Sequence, residues 1–213
     1  MPGTTPPRRL RGLYLITAPA ASDEARWLAG VAAALRGGAS IVQYRDKEAD
    51  PPARTRRAQA LRRLCAAHGV ALIVNDDVEL ARAVGAGVHL GRDDTPLAAA
   101  RARLGPGRLI GISCYDSLER ARAAAAGGAD YVAFGRFFPS HTKPEATPAP
   151  LELLPRARAA LSLPIVAIGG ITPENGAALI AAGADLLAVG HAVSAADDPQ
   201  TAAQRIAALF GPG

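Results

Sequence analysis

Aromatic residues are scarce in this chain of 213 residues: they make up 4%, as four Tyr, four Phe and Trp27. Proteins that bind single-stranded nucleic acid by stacking need a platform of such rings, so the reading is no nucleic acid despite a formal net charge of +5. That charge points instead to small anionic partners. Cysteine is equally sparse. Cys65 and Cys114 form no CxxC pair and lie in unrelated segments, which excludes a disulfide framework and gives no zinc signature. A reduced, cytoplasmic setting fits. No run approaches the roughly 18 unbroken apolar residues of a membrane span, so no membrane partner is expected. Residues 1–11, MPGTTPPRRLR, lack the apolar segment of a secretory signal and read as a flexible N-terminal leader. Lysine is the sharpest scarcity: of 24 basic residues, only Lys47 and Lys143 are not arginine.

What the chain does have is apolar substance in a regular order. At 49% hydrophobic it can bury one sizeable core, and residues 12–213 read as one domain. Short β-branched runs alternate with longer Ala/Leu/Arg stretches, the pattern of repeated strand–helix units. Strands are expected at 13–17, 40–45, 71–75, 88–90, 109–113, 131–135, 165–169 and 186–189. Helices are expected at 24–36, 53–68 and 117–126, each stopped by glycine, and later ones begin at Thr95-Pro96, Pro150, Thr172-Pro173 and Asp198-Pro199. Eight strands with eight helices in this length predict an α/β fold, a single (β/α)8 TIM barrel, with a doubly wound open sheet as the other candidate. The recurring Gly-Ala-Asp or Gly-Ala-Gly before strands reads as turn chemistry rather than a repeat.

A barrel places its active site at the carboxyl ends of its strands, and polar residues collect there. The second strand runs into Gln43-Tyr44-Arg45-Asp46-Lys47, the third into Asn75-Asp76-Asp77, the fourth into Arg92-Asp93-Asp94, the fifth into Ser113, and the sixth is followed by Ser140-His141-Thr142-Lys143. Strand alternation predicts Gln43, Arg45 and Lys47 on one side, facing the pocket. Asp76 and Asp94 come from neighbouring strands. Paired carboxylates beside cations suit Mg²⁺ with a diphosphate, because Mg²⁺ takes one or two carboxylates and fills its shell with substrate oxygens and water. One Asp of each Asp-Asp pair is expected to cap the following helix instead. The glycines of Ile168-Gly169-Gly170 and Val189-Gly190-His191 allow backbone N–H groups to approach a phosphate. Read from spacing, His68 is a surface residue, His89 a packed core residue and Cys114 a packed thiol, and no histidine base is indicated.

In combination these segments resemble the thiamine phosphate synthase family. The match runs from Gly12 to Pro199 through GLYLIT, QYRDK, NDD, GVHLGRDD, GIS, GRFFPSHTKP and VAIGGI. The resemblance implies an Mg²⁺-dependent transferase of thiamine biosynthesis. It joins a hydroxymethylpyrimidine diphosphate to a thiazole phosphate, with or without a carboxyl group, and releases pyrophosphate by a dissociative route. By motif match, Gln43, Tyr44, Arg45, Asp46, Lys47 and Asn75 hold the pyrimidine diphosphate. Arg45, Lys47 and Lys143 act on its diphosphate, Ser113 lies near the pyrimidine, and Asp76 and Asp94 bind the metal. Ser140, His141 and Thr142 contact the thiazole phosphate, whose phosphate rests on Gly170, Gly190 and His191. Tyr44 stands where the family usually has Leu, Arg92 where Gln is common, and His191 where a small residue is usual. Related tautomerase barrels should lack the Lys47, Asp94 and Lys143 set, and a phosphate-sensing barrel without catalysis is a further alternative. The sequence leaves open whether the chain forms a homo-oligomer.

Overall fold

Eight short parallel strands close into a barrel in chain order. The structure, a computed structural model, describes residues 10–20, 23–139 and 148–211. The elements are β1 Gly12–Ile16, α1 Glu24–Arg36, β2 Ala39–Tyr44, α2 Pro51–Ala67, β3 Ala71–Asn75, α3 Val78–Val84, β4 Gly87–Leu90, α4 Leu97–Leu104, β5 Ile110–Tyr115, α5 Leu118–Ala126, β6 Tyr131–Gly135, α6 Leu153–Ala160, β7 Ile165–Ile168, α7 Gly176–Ala181, β8 Leu186–Val189, α8 His191–Ser194 and α9 Pro199–Ala207. β1 pairs in parallel with both β2 and β8, which closes the sheet and eliminates the open alternative. No helix among the described residues is long and apolar enough to cross a membrane.

Local chemistry explains where the elements begin. The Asp50 side chain accepts from Ala53 N, and Pro51 and Pro52 fill first-turn positions that need no N–H partner, so α2 starts two residues before its expected start at 53. Ser117, Asp77 and Asp198 cap α5, α3 and α9 in the same way. Pro150 and Pro173 instead open turns. Leu153 N donates to Pro150 O, and Asn175 Oδ1 accepts from Thr172 N, so α6 and α7 begin three residues after each proline. The described residues also hold α8, a short helix beyond the eight expected.

Alternation along the strands sorts the core into two layers. Tyr14, Ile41, Ile73, Tyr131, Val166 and Leu186 fill the barrel interior. Leu15, Val42, Tyr44, Val74, Phe134 and Leu187 face the helices. The residues of both layers are buried. At the amino-terminal end of the barrel, Asp130 Oδ2 accepts from Ile110 N at 2.7 Å and pairs with Arg101 at 2.6 Å. Asp185 Oδ2 accepts from Ile165 N at 2.8 Å and pairs with Arg158 at 2.8 Å. Each aspartate thus ties a strand start to the end of a helix, which is what two of the Gly-Ala-Asp segments do. Leu10 packs against the interior layer, and Arg11 donates to Phe210 O at 2.8 Å, so the last two residues of the expected leader rest on the barrel.

Candidate active site

Gln43 is the first candidate side chain that alternation aims inward, and it is buried. Its Nε2 donates to Tyr14 Oη at 2.9 Å, and Tyr14 and Tyr131 share a hydrogen bond of 2.8 Å. His89, on β4, continues the chain: Nδ1 lies 3.1 Å from Tyr131 Oη and Nε2 lies 2.9 Å from Ser113 Oγ. Burial pushes both phenols well above their ordinary range, so they remain neutral donors. With Gln43 donating to Tyr14, the arrangement that leaves neither buried phenol proton without an acceptor runs Tyr14 to Tyr131 to His89 Nδ1, and His89 Nε2–H donates to Ser113. Ser113 then keeps its own hydroxyl proton for a ligand. His89 is therefore half-buried and hydrogen-bonded rather than a packed core residue, because β4 turns it into the lumen where a polar partner waits on β5 and another on β6. Tyr14 and Tyr131 escaped the sequence reading. The available signal was Gly111: a methyl there would overlap the Tyr131 ring, so glycine in GIS marks a space already occupied.

Tyr44 faces the opposite way. It is 2% exposed, lies in the helix-side layer and meets Trp27 edge to face. Burial pushes its hydroxyl up to about 12. Arg45 is half-buried and carries no ion pair among the described residues; its N–H donates to Thr17 Oγ1 at 3.2 Å. Asp46 is buried and spent on its own loop. Its carboxylate accepts from Glu48 N and Ala49 N and pairs with Arg57 at 2.9 Å. That loop, rather than strand alternation, places Lys47, because β2 ends at Tyr44 and the chain bends over residues 47–49 around the Asp46 carboxylate. Lys47 is 62% exposed and reaches Asp76 at 3.1 Å, at the end of β3. A cleft of about 300 Å³ opens here, lined by Tyr44, Asp46, Lys47, Asn75 and Asp76 among others.

Asp76 adopts φ +65, a left-handed conformation uncommon outside Gly, Asn and Asp, and its N–H donates to His89 O at 2.9 Å. Its neighbour Asp77 is the capping residue, bonded to Leu80 N at 2.9 Å and paired with Arg54. The fourth strand departs from that pattern. Asp94 caps no helix; its Oδ2 accepts from Gly91 N at 2.6 Å and folds its own loop, while α4 starts behind Pro96 without a side-chain cap. No group of three His, Cys, Asp or Glu side chains among the described residues could hold a metal ion unaided. Asp76 and Asp94 are nonetheless hard oxygen donors at adjacent strand ends. They suit a cation that completes its shell with substrate oxygens and water.

Gly169 and Gly170 have φ of +104 and +62, and the segment after β6 packs directly on them. A methyl at Gly170 would overlap Pro139 O, and one at Gly169 would overlap Arg136. Close approach therefore requires these glycines before any ligand is considered. Among the described residues the N–H groups of Gly170 and Gly190 have no backbone acceptor, and His191 is exposed at the start of α8. Ser140, His141, Thr142 and Lys143 lie outside the described residues. Cys114 is buried against Ile112 O, and burial pushes its thiol up to about 12, so it offers no thiolate near neutrality.

The sequence profile of the thiamine monophosphate synthase family matches residues 13–193. Thiamine-phosphate synthase of Azoarcus sp. (strain BH72) is 60% identical over 203 residues, 95% of this chain and 98% of that protein. The enzyme of the same name from Thioalkalivibrio sulfidiphilus (strain HL-EbGR7) is 56% identical over 95% of this chain and 96% of its own. The solved structure of thiamine phosphate pyrophosphorylase from Pyrococcus furiosus superposes with a TM-score of 0.85 at 34% identity, over 95% of this chain and 96% of that one.

Proposed function

Because the chain belongs to the thiamine monophosphate synthase family and is a transferase of thiamine biosynthesis, we propose that it joins a hydroxymethylpyrimidine diphosphate to a thiazole phosphate. The observation that carries this reading is the rim at β2 to β5. Lys47 paired with Asp76, the Asp94 loop, half-buried Arg45 and a Ser113 hydroxyl aligned by His89 gather there at strand ends. Cations and carboxylates outnumber nucleophiles in this set, as a reaction that expels a diphosphate demands.

In the proposed reaction the C–O bond between the pyrimidine methylene and the diphosphate breaks, and the leaving group takes the electron pair. The thiazole nitrogen lone pair then forms the new C–N bond, giving thiamine phosphate and pyrophosphate. Arg45, Lys47 and Lys143 neutralise the departing oxygens. Gln43 and Ser113 orient the pyrimidine from the lumen, and Asn75 closes its edge at the rim. Asp76 and Asp94 would hold Mg²⁺, which when bound supplies positive charge to the diphosphate. Ser140, His141, Thr142, Gly170, Gly190 and His191 take the thiazole phosphate. No protein base is required, since neither bond change moves a proton. The setting we infer is cytoplasmic. Residues 12–213 form the catalytic domain, with Leu10 and Arg11 resting on it, and Tyr44 and Asp46 shape the substrate pocket from behind it.

Mixing the two phosphorylated substrates with the purified protein and Mg²⁺ tests the proposal. Pyrophosphate and thiamine phosphate should appear in equal amounts, only when both substrates are present. No pyrophosphate from the pair would favour a phosphate-binding sensor, and conversion of a thiazole isomer alone would favour a tautomerase.

A further inference from the structure

Arg120 breaks a local rule. It is the third residue of α5, in a first turn where the helix macrodipole disfavours a cation, and among the described residues it makes no ion pair. Its guanidinium instead bridges two strand ends. Nε donates to Ser113 O at 2.7 Å, and Nη2 donates to Gly91 O at 3.0 Å. Tyr115 supports the bridge: Arg120 lies 5.9 Å and Arg92 5.0 Å from its ring centre, and its hydroxyl accepts from Arg92 N at 3.3 Å. To present that ring, Tyr115 adopts φ +56, strained for a bulky residue, beside a register shift in the β5–β6 ladder between Ser113 and Tyr115.

Gly91 is the junction. Its carbonyl is held by Arg120, and its N–H is held by the Asp94 carboxylate at 2.6 Å. A Cβ on Gly91 would meet Asp94 Oδ2 at 3.0 Å and Tyr115 Oη at 3.4 Å, so the residue is enclosed by the groups it joins. We propose that Arg120 is a positioning residue that fixes the Asp94 loop against the Ser113 end of β5, and so sets the divalent-cation affinity of the rim. The cation clause rests on the function proposed above; the tether does not.

The test compares wild type with Arg120→Met and Arg120→Lys as full chains. Amide hydrogen exchange over residues 91–95 should speed up in Arg120→Met while α4 and α5 keep their protection. Mn²⁺ titrated in the presence of inorganic pyrophosphate and followed by electron paramagnetic resonance should bind about tenfold more weakly, in keeping with loss of an outer-shell support. The Mg²⁺ concentration for half-maximal turnover should rise by a similar factor, with turnover at saturating Mg²⁺ within about twofold of wild type. Arg120→Lys, which can reach one carbonyl but not both, should recover only part of each effect. It also keeps the idea testable if the Met variant does not fold. Unchanged exchange at 91–95 overturns the tether. Faster exchange with unchanged Mn²⁺ affinity overturns its role at the metal. Wild type that takes up no Mn²⁺ with pyrophosphate overturns the metal reading of Asp94 itself, a failure that exchange at 91–95 separates from a failure of the tether.

Discussion

The two ends of the barrel use charge in opposite ways. At the amino-terminal end, Arg101 donates to Arg108 O, Gly128 O and Asp130, and Arg158 donates to Leu161 O, Leu163 O and Asp185. Each guanidinium is consumed by protein acceptors, and each aspartate also holds a strand N–H. At the carboxyl-terminal end, beside the Arg57–Asp46 and Arg54–Asp77 pairs, exposed Lys47 pairs with half-buried Asp76, and among the described residues Arg45 has no ion pair and Asp94 accepts from a single backbone N–H. Saturated charge at one end secures the fold. Unspent charge at the other is available to a diphosphate, which is the division of labour expected of this architecture.

The largest effect that would sharpen this contrast is on turnover. Asp94→Ala or Lys143→Ala should lower kcat/KM by on the order of 100-fold, about 3 kcal/mol of barrier, while thermal unfolding stays within a few degrees of wild type. Steady-state kinetics beside calorimetry checks this, and a variant that unfolds would place either residue with the structural charges. Gly111→Ala falls between the two classes. The methyl must displace the Tyr131 ring, so the cost should be about 1–3 kcal/mol in stability, and the lost alignment of His89 and Ser113 should raise KM for the pyrimidine substrate. A change in stability alone would remove the interior chain from the site.

Asp185→Ala should cost about 1–2 kcal/mol, because it leaves Ile165 N–H without its acceptor and removes the ion pair of Arg158, which keeps its two carbonyl acceptors; the 36% exposure of the Arg158 side chain keeps the figure below that of a fully buried pair. Its kcat/KM per folded molecule should equal that of wild type, and a loss of turnover would break the comparison.

The smallest effect concerns pH. Tyr44 ionises at an ordinary 10.0 when exposed and at about 12 when folded, so the unfolded chain loses its proton first. Its contribution is complete below about pH 10 and declines as pH rises from about 10 to about 12. Urea midpoints of wild type should therefore fall more steeply above about pH 10 than those of Tyr44→Phe, because Tyr14, Tyr131 and the buried thiols lose stability in both, and equal slopes would contradict the burial of this hydroxyl.

Much of the fold was legible because strand and helix periodicities are local and survive in the sequence without any partner. The Gly37-Gly38 stop, the Ser117 and Asp198 caps and the alternation of Tyr131-Val132-Ala133-Phe134 are of this kind. The place of Lys47, Asp76, Asp94 and Ser113 at or near strand ends followed from barrel geometry. What was misread depended on neighbours distant in the chain. His89 looked like a core residue because only closure sets Tyr131 and Ser113 beside its two nitrogens. Alternation alone sends Lys47 toward the pocket, yet the loop held by Asp46 and Arg57 decides where it goes.

Residue order was enough to specify eight strand–helix units, to locate the polar rim at one end, and to reveal the family through motifs at fixed spacing. Periodicity and turn chemistry act over a few residues, so they can be read in line. Closure of the barrel was needed to choose which charges would be consumed and which would stay free. Whether an arginine finds a carbonyl or a ligand depends on what lies within about 3 Å in space, and hydrogen bonds of that length join residues remote along the chain.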